Sequence, residues 1–160
     1  MRRVVLVSTI ALLALAIMII SPVKAIIKEP YWDHVEGSIT GYPAKAWQAG
    51  PIMHIEGLPF VGSCIGTLGT GTMEVFFEHI TVNTETGEGT SLATWTIIVG
   101  ENTLSGTANG RITGGLAGIG EGYFRGTQGT GEFEGMEKMG TYTVNLATGV
   151  LDCEGVIIYH

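Results

Sequence analysis

The sequence predicts an all-β protein, an eight-stranded antiparallel up-and-down barrel preceded by a signal peptide and an irregular N-terminal arm. Three observations lead there. Residues Gly66 to Ile98 recur imperfectly as Gly126 to Ile158: the first copy opens GTLGTGTMEV and turns at TVNTETG, the second opens GTQGTGEFEG and turns at TVNLATG. Each copy reads as a β-hairpin with a glycine-rich approach. Thr72 to Val82 alternates between two faces, the pattern of a half-buried strand. No stretch after the leader keeps a helical period, and the segments that read as strands number eight, enough to close a small barrel.

The 160 residues suffice for one domain. Glycine is frequent, at 25 residues, but there is no three-residue period, and 45% of the chain is apolar, which excludes collagen and disorder. The net charge is −7, and removing Arg2, Arg3 and Lys24 with a leader takes the remainder near −10. That balance speaks against nucleic acid and anionic lipid as partners, since both need a basic patch.

Met1 to Ala25 has the layout of a secretory signal: Arg2 and Arg3, an uncharged run from Val4 to Ile20, and Val23-Lys24-Ala25 as a small-residue cleavage site. The expected localisation is secreted or extracytoplasmic. The apolar run is long for a signal, so an uncleaved N-terminal anchor is the competing reading and the only route to membrane insertion. The expected division is 1–25 signal peptide, 26–50 N-terminal arm and 51–160 barrel.

Ile26 to Gly50 carries Pro30, Pro43, Tyr31, Trp32 and Trp47 without a sustained period, and reads as an arm or first strand packed on the barrel by its aromatics. Ile52 to Glu56 is a short strand that Gly57-Leu58-Pro59 should end. Val61 to Leu68 is the next. Thr72 to Val82 places Met73, Val75, Phe77 and His79 inward, and Thr90 to Val99 pairs back on it about Glu85, setting Phe77 opposite Ala93 and Val75 opposite Trp95. Thr103 to Thr113 puts its glycine-bearing face, Leu104 to Ile112, inward, and Ile119 to Thr127 returns with Glu121 opposite Arg111 as an outer-wall ion pair. Lys138 to Leu146 and Val150 to Tyr159 close the set, with Thr141, Thr143, Leu151, Cys153, Ile157 and Tyr159 expected inward. Matched openings lie 60 residues apart and matched turns 62, so the second copy holds about two extra residues near Met136 to Met139. Phe76, Ile80, Leu92 and Ile98 would form an apolar outer stripe, a surface for homo-oligomerisation.

Cys64 and Cys153 are the only cysteines, and in an exported domain an even count points to a disulfide, with two buried thiols as the alternative. Barrel closure would bring an early strand beside the last and make the Cys64–Cys153 bond reachable. The pairs His54/Glu56, Asp33/His34 and Glu78/His79 lack the spacing of a zinc site, so no metal and no cofactor are expected. His79, Trp95 and Tyr159 are the candidate ligand-binding set in the barrel interior. An imidazole, an indole and a phenol can orient a mostly apolar guest, and the competing reading is that they fill the core.

Thr90 to Tyr159 resembles the allene oxide cyclase and dirigent-like barrel group. The resemblance rests on Trp95-Thr96 before the turn Gly100-Glu101-Asn102-Thr103, then LSGTANGRITG, then GTQGTGEFEGM. It implies a barrel that holds a hydrophobic small molecule and, as an alternative to plain binding or a structural role, an isomerase or cyclase; it places no catalytic residue on this chain.

Overall fold

The computed structural model describes residues 26–160; the expected signal peptide lies outside the described residues. Ten strands form among them: β1 (Ile27–Ile39), β2 (Lys45–Ala49), β3 (Ile52–Glu56), β4 (Leu58–Gly66), β5 (Gly69–Asn83), β6 (Gly89–Val99), β7 (Asn102–Thr113), β8 (Ile119–Gly129), β9 (Met136–Asn145) and β10 (Val150–Tyr159). Eight of them close an antiparallel up-and-down barrel in the order β5-β6-β7-β8-β9-β10-β1-β4, with β4 pairing back on β5. No helix among the described residues is long and apolar enough to cross a membrane.

The eight barrel strands are not the eight read from the sequence. Ile27–Ile39 is the seam strand, antiparallel to β10 on one side and β4 on the other, so the first-strand reading of the aromatic segment holds there. Ile52–Glu56 forms as expected and ends at Gly57, but it belongs to a β2–β3 hairpin outside the closed ring, paired to the far end of β5.

The strand pairs meet at two ends. The upper end carries the β5–β6, β7–β8 and β9–β10 turns and the β2–β3 hairpin with its links to β1 and β4; the lower end carries the β4–β5, β6–β7 and β8–β9 turns and both ends of the described chain. The two repeated turns have one design. Asn83 Oδ1 accepts from the backbone N–H groups of Glu85 and Thr86, and Asn145 Oδ1 from those of Ala147 and Thr148. Each turn closes on a glycine at φ 73°, Gly87 or Gly149, whose N–H returns to the asparagine carbonyl at 2.8 Å. Only glycine takes that conformation without strain, which is why the motif is legible as TVNxxTG.

The expected cross-strand pairs Phe77/Ala93 and Val75/Trp95 are present, and Arg111 lies opposite Glu121. Among the described residues those two make no ion pair; Arg125 instead bonds Glu137 at 2.7 Å. Beyond Phe77 the register of β5 shifts at Glu78, a β-bulge set beside the Gly57 kink, where the Gly57 N–H bonds the Phe77 carbonyl at 3.0 Å. An extra residue in one strand reverses the facing of everything after it. Ile80 and Val82 therefore turn inward, packing with Ile55 and Ile112, and His79 turns outward. Ile80 is lost from the expected outer stripe, while Phe76 and Leu92 remain exposed.

The same reversal corrects β9. Thr143 aligns with Thr81 and Val144 with Val82 in the repeat, so Val144 is buried while Thr141 and Thr143 are exposed. Leu151, Cys153 and Ile157 are buried as expected. In the lower half Ile97, Leu104 and Ile157 fill the barrel, and Phe133, from a 3-10 turn at Gly131–Phe133, joins their cluster as a plug. Gly126 opens space for Trp95: a β-carbon there would collide with the indole ring.

Candidate functional site

The centre of the barrel holds a charge pair that its apolar surroundings make conspicuous. Tyr31, Asp33 and Val35 point inward from β1, and Lys138 points inward from β9. Lys138 Nζ lies 2.9 Å from Asp33 Oδ2, and both side chains are 1% exposed. Three rings surround the ammonium, with Nζ 3.8 Å from the Tyr31 centroid, 4.7 Å from Trp95 and 4.8 Å from Phe124. Phe124 packs edge-on to both other rings. Each π face attracts a cation, and the attraction grows where water is excluded.

Burial nevertheless works against both charges. It raises the Asp33 carboxyl above the usual carboxylate range, with Lys138 and the Cys64 thiol pulling the other way. Burial lowers the Lys138 ammonium, with Asp33 opposing. Both shifts point toward an uncharged acid beside an uncharged amine.

The two cysteines border this pair and do not form the expected disulfide; both are free and buried. The reason is the seam strand. β1 lies between β4 and β10, where Val35 faces Cys64 and Asp33 faces Cys153, so the cysteines sit two strands apart with a two-residue offset. At about 4.8 Å per strand that exceeds the roughly 7 Å Cα separation a disulfide spans. Burial pushes each thiol up to about 12, which leaves little thiolate near neutral pH.

Above the ion pair an apolar cavity of about 50 Å³ is lined by Trp95, Phe124, Lys138, Tyr142 and Cys153 among others. It shares Val75, Phe77, Val144, Leu146 and Leu151 with a second hollow of about 220 Å³ at the upper end. That hollow is rimmed by Ser38, Ile39 and the Ala147-Thr148-Gly149 turn. The two hollows share these walls, one at the upper mouth and the other above the central lysine. Tyr142, whose hydroxyl is raised by burial, meets Ser91 Oγ at 3.4 Å on the cavity wall.

The three residues expected to hold a ligand separate. Trp95 is in the central cage, its indole N–H donating to the Thr107 carbonyl at 3.1 Å. Tyr159 lies at the lower end, half-buried against the core, with its hydroxyl 3.4 Å from Glu29. His79 is outside, turned there by the Glu78 bulge, in a cluster with Trp47, His54 and Glu56 where Trp47 and His54 stack at 4.7 Å. No group of three or more His, Cys, Asp or Glu side chains among the described residues is arranged to hold a metal ion.

Lys138 and Phe124 were not singled out by the sequence, Tyr31 was read only as a packing aromatic, and Asp33 only in a pair with His34 weighed against a zinc site. One signal for Lys138 was available: it shares parity with Tyr142 and Val144, and so an inward face, once the TVN motifs are aligned with the bulge included. Comparison with protein-family models, with curated proteins and with solved structures gave no match for this chain.

Proposed function

We propose that this chain is an exported barrel that binds a small, mostly apolar molecule through its upper mouth without converting it. The observation that carries the reading is the upper hollow of about 220 Å³, whose mostly apolar walls include Val75, Phe77, Val144, Leu146 and Leu151. An apolar cavity of about 150 Å³ is enough for a benzene-sized guest, so the hollow admits a ring or a short chain. Export rests on the leader read from residues 1–25.

The isomerase or cyclase reading has one observation in its favour besides the resemblance, which is that Lys138 lines the interior cavity. At about 50 Å³ that cavity holds one or two waters, so a cyclisation substrate would not reach the lysine. Binding at the mouth is therefore the better supported role.

The test is titration with 1-aminonaphthalene, followed by its fluorescence, on the wild type and on Ala147→Trp. Ala147 lines the mouth on an exposed turn, so an indole there obstructs the hollow and leaves the core alone. Saturable binding that weakens at least about tenfold in the variant is expected, a loss of about 1.4 kcal/mol. No saturable binding, or binding indifferent to Ala147→Trp, overturns the proposal and leaves a structural or interaction module.

A further inference from the structure

We propose that Asp33 and Lys138 are the two ends of an intramolecular isopeptide bond, formed by the folded chain from its own side chains. The ion pair is the reactant geometry. Nζ is held 2.9 Å from a carboxyl oxygen, and the carbon it would attack is one bond further along the same group. The rings of Tyr31, Trp95 and Phe124 fix the lysine from its other sides. Holding two reacting groups at about 3–3.5 Å replaces a bimolecular encounter and supplies a large part of the barrier lowering in intramolecular reactions.

The chemistry balances without an added reagent. The neutral amine adds to the carbonyl carbon of the protonated carboxyl, forming the C–N bond. One N–H proton passes to the departing hydroxyl, the C–O bond breaks, and one water leaves with the amide in place. No oxidant or reductant is involved. Amine and acid must both be uncharged to react, and burial pushes both groups that way, since with both side chains 1% exposed desolvation penalises either charge. The shifts of Asp33 upward and Lys138 downward agree. The product water has somewhere to go, since Lys138 lines a cavity of about 50 Å³, room enough for a water.

The bond would also occupy an informative place in the fold. Asp33 is on β1 and Lys138 on β9, the two neighbours of β10, and the residues lie 105 apart in sequence. The cross-link therefore spans the last strand and locks the seam at which the barrel closes. Non-bonded cysteines leave that seam with no other covalent tie among the described residues.

The experiment is intact mass spectrometry of the purified chain, denatured and reduced, followed by peptide fragmentation. A mass one water below that of the sequence, with Lys138 joined to Asp33 in a branched peptide and no tryptic cleavage after Lys138, is expected. Lys138→Arg, which keeps the charge beside Asp33 but removes the primary amine, should show its full sequence mass. A wild-type chain at full mass overturns the proposal. So does a one-water loss that fragmentation assigns elsewhere, such as a succinimide at Asp152, or one that persists in Lys138→Arg.

Discussion

Replacing Ile80 and His79 by alanine, one at a time, separates two readings of β5 that differ by a single residue. With uninterrupted alternation His79 would face the core and Ile80 the solvent; with the bulge at Glu78 the roles exchange. Ile80 is 4% exposed and packs with Ile55, Val82 and Ile112. Truncation to alanine removes about three buried carbons, and at about 0.8 kcal/mol each that is about 2.4 kcal/mol. The unfilled space adds to this, giving about 3–4 kcal/mol in all. The His79 side chain is 38% exposed, and its charged contact among the described residues, Glu56 at 3.5 Å, is at the surface. Its removal should cost at most about 1 kcal/mol. Urea denaturation followed by tryptophan fluorescence reads both, and a gap of at least about 2 kcal/mol with Ile80→Ala the less stable is expected. Equal losses, or a larger loss for His79→Ala, would refute the bulge and with it the inward facing of Ile80.

Further outcomes follow from the same geometry. Thiol labelling without reductant should leave Cys64 and Cys153 unmodified in the native chain and modify both after unfolding; a single labelled or unlabelled unfolded species would restore the disulfide. Gly126→Val should destabilise the barrel by about 1–3 kcal/mol or more, because the new side chain meets the Trp95 ring, and an unchanged urea midpoint would show that the indole sits elsewhere. His34 should titrate above 6.5 by NMR, since Asp152 accepts from its Nδ1 at 2.6 Å and Glu36 adds to the effect. Because the folded value is the raised one, that contribution to stability is complete below about pH 6.5 and fades as pH rises through the folded pKa; Asp152→Asn should bring the titration down.

The barrel was legible because its hairpins carry local signals. The TVNxxTG turns need asparagine and a left-handed glycine at fixed places, and strands flanking a known turn have a fixed register, so Val75/Trp95 followed by counting. The bulge had no such signal. Phe77-Glu78-His79-Ile80 alternates acceptably in either phase, and only the kink at Gly57 on the neighbouring segment decides between them. That ambiguity also misplaced Thr141 and Thr143 through the repeat. The seam strand was hidden for a different reason: Trp32 points out and Asp33 points in, an inversion of the polar pattern that makes sense only with Lys138 opposite. A buried charge is unreadable without its partner, and here the partner is 105 residues away. The cysteine pairing failed with the seam, because the strand that separates the two thiols was the one not counted.

The positions of the twin hairpins around the ring describe the barrel in another way. In the cyclic order, β5–β6 and β9–β10 begin four strands apart out of eight, so a half-turn about the barrel axis carries one onto the other. The same rotation carries β7 onto β1 and β8 onto β4. The barrel is two halves of four strands, yet the second half is written out of order, with its last two strands at the front of the chain. Ile27 and Tyr159 face each other across the β1–β10 ladder, so these ends already touch. A short linker between them, with a new start opened in the Gly66–Gly69 turn, would give a chain that reads β5-β6-β7-β8 and then β9-β10-β1-β4 as two successive half-barrels, with the β2–β3 hairpin as an insertion between β1 and β4. Nothing in the ring of hydrogen bonds would have to change, and the two-fold arrangement would be continuous in the sequence.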